Sequence, residues 1–504
     1  MAFLRYGFAV PAMVVLMSGS AHAALTADQV WQSWKDGAGL VGLTITVATE
    51  ANSGGTLTLN GLSIAPEGAP DPLTVSALTL TENGDGTVTI TPGDAIGLQT
   101  GSAEDGGSAK LTHDGLSIIA REGDNGGIVY DYSANKLDIA YDFTTPGYAA
   151  NEGETPAPGK DNGSFSFEGL KGSYSDTPGT NRVFAVALEA AKLVYAINSD
   201  QPSFETKSTS NSESVNLVLN SEFTLPSTIT LGEIQSAADF GTALQQGLQL
   251  KLNTTNGEST GKSSEKSMFF SLDMDMKAGP AVADLLFNKD VFSLTSKGEG
   301  GLEINVTSEG LPAPAKITMA DVEMNLLSPV MSGDTAADYG AKLILGQLTL
   351  NDESWALFDP QGALKREPFD LALDLNGKAK VDWIAMAVAD EAGGQPVIPQ
   401  PESLNITQAA LKLAGAALDA TGALTFDNSL GFPAPLGEVN VNVSGAEQLI
   451  TGLIATGIIS EEDAMGVRMM MGAFMVPGSE PDSLTSKVEF KEGFSIFANG
   501  QQLQ

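Results

Sequence analysis

The sequence predicts a mainly β (α+β) fold of elongated, repeat-containing antiparallel sheets, with a short N-terminal helix and a C-terminal helix pair. Three observations predict it. Apolar and polar residues alternate with period two along much of the chain, turn-forming Gly and Asn punctuate the alternating runs, and similar segments recur at one offset. Alternation of this kind gives strands with one dry and one wet face. Such half-wet strands belong to antiparallel sheets and not to a parallel core covered on both sides.

The elements follow in order. Arg5, the apolar run Tyr6–Met17 and the small-x-small Ala21-His22-Ala23 form an export signal over residues 1–23. The expected product is a periplasmic chain cut after Ala23. The apolar run is too short to span a bilayer, and no later segment has the roughly 18 charge-poor apolar residues that a span needs. Thr26 caps a short helix carrying Val30, Trp31 and Trp34. Leu73–Leu80 and Thr87–Ile90 are strands joined by the Asn83-Gly84-Asp85-Gly86 turn. Leu137, Ile139, Tyr141 and Phe143 share one strand face, and the same rhythm marks Phe270–Met276, Leu302–Thr307 and Gly437–Val443. Shorter helices are expected at Ala237–Gln246, Ala281–Asn288 and Lys380–Ala389. Ala446–Thr456 is a helix closed by Gly457, and Ser460-Glu461-Glu462-Asp463 opens a second helix that runs to about Met475. Pro146–Gly163 and Gly393–Pro401 are loops or joints.

Ala237–Gly241 (AADFG) and Ala336–Gly340 (AADYG) lie 99 positions apart. At the same offset Phe270–Met276 aligns with Phe369–Leu375, Val282 with Val381 and Leu285 with Ile384. The expected organisation is therefore an N-terminal β-rich region (24–229), two repeat units (230–328 and 329–427) and a C-terminal cap (428–504). A fainter echo relates Leu57–Ile64 to Leu111–Ile118.

The chain has no cysteine, so neither disulfides nor a thiol-attached lipid is available to it. Its net charge of −36, from 62 acidic and 26 basic residues, repels phosphate backbones and argues against a nucleic-acid partner. The acidity reads as a solvated surface. Gly257-Glu-Ser-Thr-Gly261-Lys262-Ser263 imitates a phosphate loop with one residue too few between its glycines, and reads as a hairpin loop. His113, the only histidine after Ala23, reads as a solvated loop residue. Ser133–Lys136, Ser259–Lys262 and Ser263–Lys266 match Ser-x-x-Lys as serine-rich chains do by accident. Asn83–Gly86 lacks the outer ligands of a calcium loop, since Thr81 and Pro92 stand at the first and last positions. The sequence therefore nominates no catalytic, cofactor-binding or metal-ligating residue. Met465, Met469, Met470, Met471, Phe474 and Met475 surround Arg468 on the closing helix and are expected to fill a core, with a binding surface as the alternative.

The Trp31-Gln-Ser-Trp34 helix, the Trp355–Pro360 turn and the closing run of Gly422–Phe426, Gly437–Val443, two helices and Phe494–Gly500 together resemble the Gram-negative secreted family called domain of unknown function 2125. That family implies no activity and no catalytic residue. Its β-rich, repeat-bearing style is distantly similar to envelope proteins of the AsmA-like type, which implies lipid handling at the level of fold alone. The expected role is that of a non-enzymatic envelope protein that binds lipid or another apolar ligand along a sheet face, or scaffolds other envelope proteins. The alternatives are a secreted hydrolase using paired carboxylates and a purely structural protein.

Overall fold

The structure is a computed structural model that describes residues 24–40, 42–66, 72–93, 96–101, 106–147, 157–429 and 431–503. The expected export signal lies outside the described residues, as do residues 148–156 of the loop after Pro146. The chain divides into two compact units, Met1–Asp273 and Met274–Gln504.

The helix Ala27–Leu40 opens the first unit. Thr26 Oγ1 accepts from the Gln29 N–H at 3.2 Å while Gln29 Oε1 accepts from the Thr26 N–H at 2.8 Å, a reciprocal cap. Val30 and Trp31 are buried, and Trp31 Nε1 donates to Glu50 at 2.9 Å. An antiparallel meander follows, in which every described pairing from Leu43 to Lys266 is antiparallel. Its longest strands are Ile128–Thr145, Gly159–Thr177, Asn181–Gln201 and Thr206–Pro226. The strand at Gly159–Gly163 corrects the expectation of a loop there. Its register against Thr145–Tyr141 on one side and Asp200–Ile197 on the other satisfies its backbone on both edges.

A line of interruptions crosses this sheet. Gly61 (φ 62°) breaks Thr56–Pro66, and Gly115 (φ 64°) separates Gly106–Asp114 from Ser117–Glu122, two collinear strands that both pair with Ile128–Thr145. The line continues through Asn135, Gly169 (φ 61°), Ala191, Asn216 (φ 51°) and Gly257, where each ladder loses a rung while its register is kept. An extra residue at the same level of successive strands bends and twists all of them together. The sheet thus folds along a seam. Gly61, Gly115 and Gly169 are evenly spaced, and each precedes a leucine. The echo between Leu57–Ile64 and Leu111–Ile118 therefore has a matching backbone. The seam is packed by Ala134, Leu170 and Ala190, with Leu116, Tyr132, Leu137, Phe167, Leu188 and Leu217 against them.

The second unit begins with the same device. Gly300 and Gly301 (φ 85° and 86°) separate Val291–Gly298 from Leu302–Ser308, Ala320 separates Ala315–Met319 from Asp321–Pro329, and Gln347 (φ 55°) interrupts Ala337–Leu350. Further on, Phe369–Lys380, Gln400–Leu413, Ala416–Asp427, Ala434–Ser444 and Ser483–Lys491 pair in succession. Trp355, Leu364 and Ala414 form a small core with Leu449 and Leu453 of the helix Ala446–Ala455. The capping box at Ser460 opens the closing helix, Glu461–Phe474, where the sequence places it.

Two further expectations fail. AADFG opens the helix Ala237–Gln245, whereas AADYG lies in and just before the strand Ala337–Leu350. Both segments follow a capping residue, Ser236 or Thr335, with Asp three positions on. What differs lies downstream. Leu343-Ile344-Leu345 find partner strands on both sides, Leu348 pairs with Phe369, and Thr349-Leu350 pair with Thr318-Ile317, so tertiary pairing overrides the helical start. Ala281–Asn288 is likewise not a helix but the strand Ala281–Phe287. Asn288 Oδ1 accepts from the Asp290 and Val291 N–H groups, and the tight turn so made returns the chain as Val291–Gly298. Trp383–Glu391 is a helix, as expected of that region.

Candidate functional site

The four longest strands of the first unit carry the most distinctive surface. Because side chains alternate and the seam adds one residue per strand, the first three keep one apolar face on both sides of the bend, whereas Thr206–Pro226 sets Ser210, Ser212 and Ser214 beside Ile197, Tyr195 and Leu193. One face shows an ion-pair ladder: Lys136–Asp138, Lys171–Glu189 and Lys192–Glu213, each at 2.8 Å. The other face carries Ile139 and Tyr141, Phe165 and Phe167, and Leu193 and Tyr195 on three successive strands. Tyr141 and Phe165 rings lie 6.3 Å apart and Phe165 and Tyr195 6.1 Å apart, so an aromatic row crosses the strands. These side chains are half-buried, unlike the closed seam beside them, where Ala190 is 2% exposed.

Glycine positions the rings. Tyr141 stands opposite Gly163, where an added Cβ would lie 2.7 Å from the tyrosine oxygen. Tyr132 covers Gly172 in the same way, and its hydroxyl donates across to the Ala187 carbonyl at 2.8 Å. Burial pushes the Tyr132 hydroxyl up to about 12. Tyr339 repeats the arrangement in the second unit, lying over Gly377 and donating to the Ser403 carbonyl at 3.0 Å. A ring laid flat on a glycine covers backbone and leaves a smooth apolar floor.

Beyond the seam the same face closes. Arg182 binds Asp176 through both carboxylate oxygens, at 2.7 Å from Nε and 2.5 Å from Nη2, with Asp176 fully buried. Tyr130 and Tyr174 lie beside this pair with their hydroxyls buried and without a hydrogen-bond partner. Burial raises both above the ordinary tyrosine range, with Asp176 adding to it. The arrangement can hold apolar matter at the open half and seals the other half.

The residues weighed from sequence are dispersed. His113 is not a solvated loop residue: it lies in the strand Gly106–Asp114 opposite Leu137, half-buried, with Nε2 shielded and unpartnered. Gly257 is not in a hairpin loop. Gln249–Asn256 and Ser259–Lys266 are collinear and pair with the same strand, Gly257 N–H donating to the Val215 carbonyl at 2.7 Å. Ser259 and Lys262 stand opposite Ser214 and Asn211, on opposite faces. Asp85 Oδ1 is engaged by Thr87 within the expected turn. Among the described residues, no three or more His, Asp or Glu side chains are grouped as metal ligands. The closing helix does not fill a core: Met465, Met469 and Met470 are 62%, 69% and 59% exposed, and Ala464 alone of the helix is buried. Gly466 and Gly472 give its flanks too little bulk to pack, and Arg468 instead ties it to Glu447 on the preceding helix.

The sequence named Ile139 and Tyr141 as one face, but not Phe165 or Tyr195. Ser164-Phe165-Ser166-Phe167 carried the signal, masked by its place beside a Pro/Gly-rich stretch.

Residues 254–495 match the family model described as "Uncharacterized protein conserved in bacteria (DUF2125)", so this part of the chain is similar to that family. The Trp355 turn and much of the closing run fall inside the match, whereas the Trp31–Trp34 helix falls outside it. Neither a curated protein nor a solved structure matches the chain. No helix among the described residues is long and apolar enough to cross a membrane.

Proposed function

We propose that this chain, a folded apolar sheet joined to a region similar to the DUF2125 family, is an exported, non-enzymatic binding protein of the bacterial envelope that holds an acyl chain or similar apolar ligand. Export rests on the basic, apolar and small-x-small pattern of residues 1–23. The observation that carries binding is the Tyr141–Phe165–Tyr195 row, half-open to solvent on strands whose other face is charged. Apolar surface gains roughly 25 cal/mol per Å² on leaving water, so a fold without a ligand would cover such a face from within. Extended apolar patches on soluble proteins mark binding sites.

The experiment is a titration of delipidated protein with a solvatochromic fatty-acid probe. The wild-type chain should saturate, and Phe165→Glu with Tyr195→Glu should weaken binding by about tenfold or more while the melting temperature holds. Absence of saturable binding, or equal binding by the double variant, rejects the reading.

A further inference from the structure

We infer that one end of the first unit docks on a phospholipid bilayer, two apolar tips entering the acyl region and a row of lysines meeting anionic headgroups. The observation is a pairing of tips fixed by register. Gln201 pairs with Thr206, so Pro202–Glu205 is a hairpin tip, and Phe204 on it is 63% exposed. Lys207 pairs with Lys266, which sets the turn Ser267–Phe270 beside that tip, one strand spacing away. There Met268, Phe269 and Phe270 are 62%, 87% and 47% exposed. The turn is built rather than loose: Ser267 N–H donates to the Phe270 carbonyl at 2.9 Å, and Ser267 Oγ accepts from the Phe269 and Phe270 N–H groups at 3.2 Å each. It holds its apolar side chains outward.

Behind the tips, Lys160, Asp200, Lys207 and Lys266 are successive cross-strand neighbours. Lys207 binds Asp200 at 2.7 Å, while Lys160 and Lys266 make no ion pair among the described residues. Asp161, Glu205 and Glu265 flank the row, so with Asp200 four carboxylates face three lysines and this end is close to neutral in a chain of net charge −36. Lysines placed directly opposite repel, and such a pair costs stability. Headgroup phosphates would relieve it. Apolar tips rimmed by lysine stem and charge suit the boundary between headgroups and acyl chains.

The inference deepens the proposed function, because Tyr195 lies on the strand that ends at this tip, within about 20 Å at ~3.3 Å per residue. A lipid leaving the bilayer at the tips would meet the aromatic row next.

The test is flotation of the full chain with vesicles of phosphatidylethanolamine and phosphatidylglycerol, beside the soluble-probe titration. Wild-type protein should float with the vesicles. Phe204→Ser with Met268→Ser and Phe269→Ser should lower the bound fraction about tenfold, and Lys160→Glu with Lys266→Glu should lower it and weaken its salt dependence. Both variants alter exposed side chains, so probe binding should persist in each. Failure of the wild type to float, or flotation of the tip variant at the wild-type level, overturns the docking. Loss of flotation on Met465→Ser with Met469→Ser alone also overturns it, by moving contact to the closing helix. Flotation without probe binding upholds docking and rejects the groove.

Discussion

Asp359 shows what one buried charge does here. It is fully buried, and its two oxygens accept from the Ala363 and Leu364 N–H groups at 2.8 and 2.9 Å. Burial pushes its carboxyl up, but those amides and the nearby Arg366 charge outweigh it and hold the group below its ordinary 3.8. A carboxyl depressed in the fold stabilises the fold above its unfolded pKa, and that contribution is lost as pH falls through the folded value. Asp359→Ala should therefore lower the urea midpoint at neutral pH, and the difference from wild type should shrink as pH falls below the ordinary 3.8. Equal midpoints at pH 7 would show the turn to be held otherwise. The buried Arg182–Asp176 pair sets a second test. Arg182→Met strands a buried carboxylate and should cost about 3–5 kcal/mol in chemical denaturation, whereas Tyr174→Phe removes a hydroxyl that has no partner and should be neutral or stabilising. A large loss from Tyr174→Phe would reveal a partner for that hydroxyl.

At the scale of elements, the seam governs the first unit, and its glycines carry it. Gly169 has φ 61°, and a Cβ there would lie 3.1 Å from the Ala191 Cβ. Gly169→Val should cost about 1–3 kcal/mol, more than the same change at Gly97, an extended strand glycine with room for a Cβ, because a β-branched residue resists positive φ. A melting temperature equal to wild type would deny the seam its role. Much of this was legible beforehand. Alternation located the strands, and capping boxes located the opening and closing helices, since both are local signals. The repeat at offset 99 was legible as letters and failed as structure, because AADYG is drawn into a strand by Asn376–Ala379, which lies beyond the reach of a local pattern. The true periodicity lay in single glycines, and only strand register shows that Gly115 and Gly169 lie on one line. The aromatic row was hidden for the same reason: Tyr141, Phe165 and Tyr195 come together through pairing alone.

At the scale of the molecule, charge and apolar surface are partitioned. The −36 balance sits on faces laced with isolated, exposed ion pairs that add little stability each. The apolar face of the first unit stays half-open, and the exposed tips at Phe204 and Met268–Phe270 stand where its strands end. The most direct measurement is photo-crosslinking of a diazirine-bearing fatty acid to the full chain, with the labelled residues mapped by mass spectrometry. Labels concentrated on peptides holding Tyr141, Phe165 and Tyr195, and competed away by unlabelled fatty acid, are the predicted result. Labels confined to the closing helix Glu461–Phe474, or a pattern that competitor does not change, would contradict a ligand held in the folded sheet.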